Sequence, residues 1–444
     1  MTGGDAASAG RPRFASAFGL LMTFIGVAVG LGNVWRFPYM AGAFGGGAFL
    51  LVYLFLLFAF GIPALMAELA LGRMTRRGPV GAFTRIGMPG GAVIGWVLFV
   101  TVLVALSYYT VVVGWVLRYT FISAGGAIGE QPPESFFEAM LGGFWGQFLT
   151  TGIVLALVAA VLILGIKRGV ERVSKIGMPL LFVLLFVLIA RSLSLPGAGA
   201  GVTYYLYPEF SMINAGVVTA ALGQLFFSLA LGGTFLMTYA SYLDDDVDLR
   251  KSAVTIGVGE TLASVLAGFV ILPAAVALGV AVGSGPPLTF VTAPSIFARI
   301  PGGAAFATLF FGLVFFAAFL SAVAGFEVLV AGVADEHGWN RKVAVLVFCG
   351  AALLLGVVPM QSLDYILKSD LFWGSTMQPI GSALALIGLA WVVGLGRALE
   401  EVNKGVGRRP VGRFWFYWIK YVVPIGIGVI LVLGLREMYG AFVR

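Results

Sequence analysis

The chain has 444 residues, of which 60% are hydrophobic and only 11% are charged, against roughly 25% charged in an average soluble domain. A mean hydropathy of +1.02 leaves too little polar surface to cover a water-soluble globule, which excludes a cytosolic enzyme, a disordered chain and a secreted disulfide scaffold. One cysteine and one histidine exclude an internal disulfide and a multi-histidine metal site. The composition therefore indicates a polytopic membrane protein.

A bilayer core about 30 Å thick needs roughly 20 apolar residues per helical span. Eleven apolar segments of this kind are predicted, at residues 14–41, 44–72, 87–121, 146–166, 176–195, 215–242, 252–282, 304–334, 342–358, 371–396 and 413–436. Residues 1–10 before them have no signal-peptide pattern, and we interpret them as a disordered cytoplasmic tail.

Lys and Arg residues are distributed unevenly between the two sides of the predicted bundle. With the N-terminus placed inside, nineteen fall in inner connections and six in outer ones, while Arg36 and Lys420 lie within spans. Positive residues concentrate on the cytoplasmic side of membrane proteins. The net charge of +7 is therefore a topology signal rather than a nucleic-acid site. It predicts a cell-membrane protein with a cytoplasmic N-terminus and an external C-terminus.

The first and sixth segments contain glycine runs, at residues 26–32 and 232–233, that a continuous helix normally avoids. Glycine costs roughly 1 kcal/mol in a helix interior, so local unwinding is cheap there. Glycines also allow close helix packing, but packing does not require the neighbouring Asn33 and Arg36. Breaks at corresponding positions of two halves indicate an inverted repeat with a midplane site. We therefore predict an all-α fold, a 5+5 inverted repeat with broken first and sixth helices plus an eleventh helix.

Several long motifs follow one another in a specific order. They are GLGNVWRFPY at residues 30–39, GGGAF at 45–49, GIP at 61–63, the stretch 165–179, QLFFSL at 224–229, YASY at 239–242 and DE at 335–336. Together they resemble the neurotransmitter:sodium symporter family, in its bacterial amino-acid transporter branch with the leucine-transporter-like fold. The resemblance implies a transporter core over residues 11–410, with repeats at about 11–195 and 211–397, and an eleventh helix and C-terminus at 411–444.

The resemblance further implies a sodium-coupled symporter that imports amino acids by alternating access, without organic cofactor or covalent chemistry. The sequence has no recognisable nucleophile–base pair, so we do not expect an enzyme. The expected partners are a small amino acid, the lipid bilayer and at most a weakly associated second copy, not a nucleic acid. A proton-coupled or sodium-independent amino-acid transporter or exchanger of the same fold, and a non-transporting amino-acid sensor, are the alternatives.

The implied substrate site lies between the two breaks. Its residues are Ala28, Gly30, Leu31, Gly32, Ala105, Tyr109, Phe227, Ala230, Gly233, Ser321 and Gly325. Main-chain NH groups and the Tyr109 hydroxyl would meet the substrate carboxylate, and main-chain carbonyls its ammonium. Gly30 stands where monoamine-transporting relatives have Asp, so a substrate with its own carboxyl group is expected. Gly233 and Gly325 stand where the leucine-preferring member has bulkier groups, which favours hydrophobic or aromatic side chains.

Two sodium sites are implied, and sodium prefers oxygen ligands. The first comprises Ala28, Asn33, Ser228 and Glu260, and the second comprises Gly26, Val29, Ala317 and Ser321. Leu320 replaces the hydroxyl or carboxylate expected beside Ser321, which weakens the second site. The expected number of sodium ions is therefore one or two.

Glu260 is a carboxylate inside an apolar segment, where an uncompensated charge costs several kcal/mol. It aligns with a sodium ligand of the family, although a one-residue shift of the alignment would place Gly259 there instead. The alternative to a binding role is that Glu260 lies near the end of its helix, close to the aqueous boundary. Glu260 binds either sodium or a proton in this interpretation. The positions that bind chloride in animal relatives are Tyr53, Gln224, Ser228 and Ser264. A fixed carboxylate beside them makes chloride unnecessary, so we expect transport without it.

The remaining implied residues are gates and supports. The gating residues are Arg36 and Asp370 outside, above Phe227, and Arg11, Asp335 and Tyr242 inside. Glu68 is expected to hydrogen-bond the unwound backbone of the first and sixth helices.

Overall fold

The computed structural model describes residues 14–281, 288–407 and 409–443, with side chains up to residue 435. The regular elements of these residues are all helices, which confirms the predicted all-α class. The predicted tail at 1–10 and the predicted gate residue Arg11 lie outside the described residues.

The first span consists of two helices, α1 and α2, bent by 57° relative to each other. The sixth span is also divided, into α7 and α8, with residues 229–234 non-helical between them. In chain order the helices that make up the spans are α1 (Ala17–Ala28), α2 (Gly32–Ala43), α3 (Gly47–Thr75), α4 (Gly91–Ala124), α5 (Phe144–Ile163), α6 (Ile166–Leu193), α7 (Ala215–Ser228), α8 (Phe235–Ala240), α9 (Leu249–Ala277), α10 (Gly303–His337), α11 (Arg341–Gln361), α12 (Leu363–Val393) and α13 (Arg413–Leu435). Shorter helices lie in the connections between them. The breaks therefore fall in the first and sixth spans, as predicted.

Polar residues at the helix starts explain where several helices begin. Ser16, Asn214 and Asp248 precede α1, α7 and α9, and each side chain accepts a hydrogen bond from an NH of the first turn. Such caps satisfy NH groups that have no partner within the helix. The sequence thus fixes the entry of the chain into both broken spans.

Two predicted boundaries were wrong. Residues 167–175 were expected to form a basic connection, but α6 already begins at Ile166, because Gly165 adopts a φ of 78° and turns the chain within one residue. Asp370 was expected to begin the tenth segment, but α12 begins at Leu363, where the Ser362 hydroxyl accepts a hydrogen bond from a first-turn NH. Asp370 therefore lies inside its span.

Helix packing brings the two breaks together. The helix α10 packs along α4, α1 packs against α6 and α9, and α7 packs on α3. α2 begins with a π-helical turn, Gly32–Arg36, and the sixth span breaks where Ala230 adopts a φ of 51°. Such backbone within a membrane must line a cavity or be buried in protein. The centre of the bundle is therefore where a polar ligand can be held.

Candidate functional site

A cavity of about 100 Å³ lies between the two broken spans, α4 and α10. The structure brings nine of the eleven predicted substrate residues to its wall, namely Ala28, Gly30, Leu31, Gly32, Ala105, Tyr109, Phe227, Ala230 and Ser321. The wall also contains Asn33 and Ser228, which belong to the predicted first sodium site. Substrate and cation residues thus share one chamber.

Gly233 and Gly325 lie outside this wall, and the space beside each is occupied. A Cβ atom on Gly325 would lie 2.8 Å from Leu106 and 3.1 Å from Phe235, and one on Gly233 would lie 2.7 Å from the carbonyl oxygen of Gly381. Leu106 and Phe235 themselves line the cavity. Sequence reasoning missed both, because nothing in an apolar segment distinguishes a cavity-facing side chain from a packed one.

The backbone of the first break contacts two hydroxyl groups directly. A Cβ atom on Gly30 would lie 2.5 Å from the Ser321 Oγ and 3.3 Å from the Tyr109 hydroxyl oxygen, so only glycine fits there without displacement. The Tyr109 hydroxyl is buried and faces the Leu31 NH and the Ser321 hydroxyl, but it makes no hydrogen bond of regular geometry among the described residues. At the start of α2, the NH groups of Leu31 and Gly32 donate to no main-chain carbonyl of the described residues, and they lie at the positive end of the helix dipole. This corner of the cavity is suited to an anionic group.

A fully buried carboxylate, Glu260, lies beside the first break. Its Oε1 accepts hydrogen bonds from the Asn33 amide (2.5 Å) and the Ser264 hydroxyl (3.1 Å). Its Oε2 accepts from the Tyr53 hydroxyl (3.3 Å) and the Thr261 hydroxyl (3.1 Å). These donors are all neutral, and Glu260 forms no ion pair with a Lys or Arg of the described residues. The negative charge of Glu260 is therefore stabilised by neutral hydrogen-bond donors but not balanced by a positive charge of the described residues.

The structure also distinguishes between the two alignments of this region. Gly259 faces α1, since a Cβ atom there would lie 2.8 Å from Ile25, whereas Glu260 faces Asn33. Three of the positions that resemble a chloride site, Tyr53, Ser228 and Ser264, lie at this carboxylate. Tyr53 and Ser264 donate to Glu260, and the hydroxyl groups of Tyr53 and Ser228 are hydrogen-bonded to each other at 2.9 Å. Glu260 thus lies in the protein interior and not near the aqueous boundary.

This cluster fits a hard cation. Asn33 donates its amide NH₂ to Glu260, while its Oδ1 accepts the NH of Gly30 at 2.8 Å and retains a second lone pair. The Ser228 hydroxyl lies next to the same cavity. Carboxylate, amide and hydroxyl oxygens are the ligands that hard cations prefer.

The predicted second cation site is different in character. The Ser321 hydroxyl donates to the carbonyl oxygen of Val29 (3.1 Å) and more weakly to that of Val27 (3.4 Å). Beside it, the buried side chain of Leu320 lies against Gly26, where a Cβ atom would be 3.4 Å from a Leu320 methyl group. Hydrocarbon therefore forms one side of this site.

Phe227 closes the side of the cavity where the expected outer gate residues Arg36 and Asp370 lie. The guanidinium of Arg36 lies 4.4 Å from the centre of its ring. Asp370 accepts a hydrogen bond from the Tyr108 hydroxyl at 3.3 Å, and it forms no direct ion pair with Arg36 in the described residues. Above the ring lies a second cavity of about 850 Å³, and Phe227 and Gly374 line both cavities.

On the inner side, the predicted gate residue Tyr242 donates to the Glu327 carboxylate at 2.8 Å. Glu327 is fully buried in α10 and also pairs with Arg341 at the start of α11. The main-chain oxygen of Asp335 accepts a hydrogen bond from Arg77. Glu327 was missed in the sequence, although it carries the same signal as Glu260, a carboxylate inside an apolar segment.

A second contact missed by sequence reasoning holds the start of α1. Glu171 of α6 accepts hydrogen bonds from the Ala15 NH (2.7 Å) and the Ser16 hydroxyl (3.1 Å), and it pairs with Lys175 at 2.8 Å. Glu171 is 1% exposed. The inner half of the first span is therefore attached to α6 by one buried carboxylate.

The predicted supporting residue Glu68 is fully buried in α3. Its carboxylate faces the Ser382 hydroxyl and the NH groups of Gly232 and Gly233 in the sixth-span break. Neither of its oxygens makes a hydrogen bond of regular geometry within the described part of the chain. The residue thus lies at the break of the sixth span.

Comparisons with known proteins agree with this arrangement. The model of the sodium:neurotransmitter symporter family matches residues 11–129 and 145–442. An uncharacterized sodium-dependent transporter of Methanocaldococcus jannaschii is 34% identical, with 97% of this chain and 93% of the relative covered, and one of Bacillus subtilis is 31% identical, with 95% and 97% covered. The crystal structure of MhsT in complex with L-phenylalanine superimposes with a TM-score of 0.86 at 34% identity, over 96% of this chain and all of that one.

Proposed function

Because the chain belongs to the sodium:neurotransmitter symporter family, we propose that it is a sodium-coupled symporter that imports hydrophobic or aromatic amino acids by alternating access. One observation carries the proposal: a single cavity between two broken spans contains unpaired helix-start NH groups and adjoins an uncompensated carboxylate. In the cell membrane, with the N-terminus cytoplasmic, the larger outer cavity is the entrance.

The substrate groups are assigned by charge. The carboxylate of a zwitterion binds at the first turn of α2, next to the hydroxyl of Tyr109. Its ammonium group binds main-chain carbonyls of Ala28 and of the sixth-span break. Its side chain extends towards the apolar wall formed by Leu106, Phe227 and Phe235. L-phenylalanine bound to MhsT, a structural neighbour at 34% identity, supports a substrate of this size and polarity.

The sodium ion binds beside Asn33, Ser228 and Glu260 and is shared with the substrate carboxylate. Each of these charges alone is costly at membrane depth, and together they offset one another. Substrate binding and sodium binding are therefore mutually favourable, which is the basis of coupling. Each positive charge that moves inward across 100 mV supplies about 2.3 kcal/mol.

Alternating access follows from the positions of the closures. Phe227 and Arg36 separate the binding cavity from the outer cavity. The contacts of Tyr242 with Glu327, and of Glu171 with the start of α1, hold the inner side closed. Release to the cytoplasm requires the inner contacts to open while Phe227 and Arg36 remain in place.

The proposal is tested with the purified protein in proteoliposomes. Radiolabelled phenylalanine, leucine and alanine are supplied while sodium, proton and chloride gradients are varied one at a time. We expect accumulation of phenylalanine or leucine driven by an inward sodium gradient, unaffected when gluconate replaces chloride. Binding of substrate without accumulation under any gradient would identify a sensor instead.

A proton-coupled transporter is the second candidate, and Glu260 is the observation that favours it. A buried carboxylate with only neutral hydrogen-bond donors binds a proton as readily as a sodium ion. Accumulation driven by an inward proton gradient in sodium-free buffer would select this candidate over sodium coupling.

A further inference from the structure

The second predicted cation site does not fit a sodium ion, and we propose that transport by this chain is coupled to one sodium ion, with Leu320 as the residue that sets this number. The inference rests on the proposed function and concerns the contact between α1, α6 and α10. The residues involved, 26–29, 177–178 and 317–321, are all within the described part of the chain.

The hydroxyl group and one carbonyl oxygen at this contact already satisfy each other. The Ser321 hydroxyl is the one side-chain oxygen among the predicted ligands there, and its proton is directed at the Val29 carbonyl, 3.1 Å away. To bind a cation, both atoms would have to give up that bond. The buried carbonyls of Gly26, Val29 and Ala317 are the other candidate ligands. Hydroxyl and carbonyls together offer at most four oxygens, and a hard cation such as sodium prefers to be surrounded by oxygen ligands.

Hydrocarbon and sulfur fill the side of the site where further ligands would be needed. A Leu320 methyl group lies 3.4 Å from the Cβ positions that Gly26 and Gly177 would have, so this side chain bridges all three helices. The sulfur of Met178 lies 3.5 Å from the same position on Gly26. Leu320 is 4% exposed and Met178 is fully buried. A thioether and a branched alkane provide no oxygen, and sodium selects oxygen ligands.

Water does not replace the missing ligands here. A buried water needs two to four polar partners and space of its own. Around the positions that Cβ atoms on Gly26 and Gly177 would take, the nearest atoms belong to Leu320, Met178 and Phe316, and none of these atoms is an oxygen or a nitrogen. A cation placed there would lose its hydration shell without gaining protein ligands, and this desolvation costs far more free energy than binding to so few oxygens provides.

The contact has a different role from an ion site. Leu320 packs α10 against α1 and α6 without a bound ion, so the strength of this contact does not vary with sodium concentration. The Asn33–Glu260 cluster, on the other side of the break, is then where sodium acts. One zwitterionic substrate crosses with one sodium ion and one net positive charge.

The test measures the number of sodium ions per substrate in proteoliposomes, from paired fluxes of radioactive sodium and amino acid and from the membrane potential at which net flux reverses. We expect a ratio of one in the wild type, with a hyperbolic dependence of substrate binding on sodium. A ratio of two, or a sigmoidal dependence with a Hill coefficient near two, would overturn the proposal.

Two isosteric variants test Leu320 itself. Leu320→Thr adds a hydroxyl at this position, and Leu320→Val has the same shape without it, so the pair isolates the oxygen. We expect the ratio to rise towards two in Leu320→Thr and to stay at one in Leu320→Val. A ratio of one in both variants would refute the role of Leu320, and the wild-type ratio decides the stoichiometry even if a variant fails to fold. Absence of any sodium-driven accumulation would instead refute the proposed function.

Discussion

The two sides of the break in the first span are built from the same main chain but have opposite chemistry. On the side of α9, Asn33 donates to the buried carboxylate of Glu260 and to the Ser264 hydroxyl. On the side of α10, Ser321 meets a carbonyl, and Leu320 covers the rest. Unwound backbone alone therefore does not make a cation site, because carbonyls need further oxygens beside them. Substitutions on each side of the break test whether this difference decides where sodium binds.

The largest effect is expected at the polar side. Glu260→Gln removes the only negative charge of the cluster around Asn33, and a charge difference at a buried site is worth several kcal/mol, so we expect uptake without chloride to fall at least about 100-fold. Chloride should restore part of the activity, because Tyr53 and Ser264 keep their hydroxyls. Uptake rates in chloride and in gluconate buffers measure both effects.

Glu260→Asp is the matched control, since it keeps the charge and shortens the side chain. It should retain more activity than Glu260→Gln and remain insensitive to chloride. Equal, chloride-independent activity of the wild type and Glu260→Gln would show that the carboxylate has no role in coupling.

The backbone between the two sides is tested by adding one methyl group. A Cβ atom on Gly30 would lie 2.5 Å from the Ser321 Oγ, so Gly30→Ala must displace α1 or α10 at the cavity. Overpacking of this kind costs about 1–3 kcal/mol, and we expect substrate affinity to fall at least about tenfold. Gly312→Ala on α10 is the control, because no atom lies within 4 Å of its Cβ position. Comparable losses in both variants would indicate general destabilisation.

Loss of one hydroxyl on each side compares the two sides directly. Ser228→Ala removes an oxygen next to the Glu260 cluster, and Ser321→Ala removes the one that donates to Val29. We expect the sodium concentration for half-maximal uptake to rise about tenfold in Ser228→Ala, because the ion loses an oxygen ligand. In Ser321→Ala it should rise less than about threefold, because that hydroxyl is bonded to the Val29 carbonyl and not to sodium. A larger rise of this sodium concentration in Ser321→Ala than in Ser228→Ala would show that sodium binds on the α10 side.

The same contrast shows how far the sequence allowed the site to be predicted. Glycine runs and the position of Asn33 predicted both breaks, because helix propensity is a local property. Nine of the eleven substrate residues that the family resemblance implies lie at the cavity, and most of them lie at or next to the two breaks.

Predictions of pocket size and of contacts between helices depend on which side chain of another helix fills a given space, and local sequence does not determine this. Gly325 was expected to enlarge the pocket, yet Leu106 and Phe235 occupy the space beside it. Glu327 and Glu171 form contacts between residues 14 and 156 positions apart, and one sequence does not report which helices pack together. Side-chain volume and helix pairing are therefore what the structure adds.

The smallest effect is expected at Glu171, which joins the inner end of the first span to α6. Glu171→Gln keeps the shape and one acceptor oxygen but loses the charge that strengthens the bonds from the Ala15 NH and the Ser16 hydroxyl. A loss of about 1 kcal/mol corresponds to roughly fivefold easier opening of this end, so amides at the start of α1 should exchange hydrogen about two to five times faster in nanodiscs.

The exposed Glu400 provides the control variant, Glu400→Gln, which should leave this exchange unchanged. Because the Leu320 contact lies further along α1, exchange at residues 26–29 should not accelerate with it. Faster exchange throughout α1 would mean that the apolar contact does not hold the first span by itself.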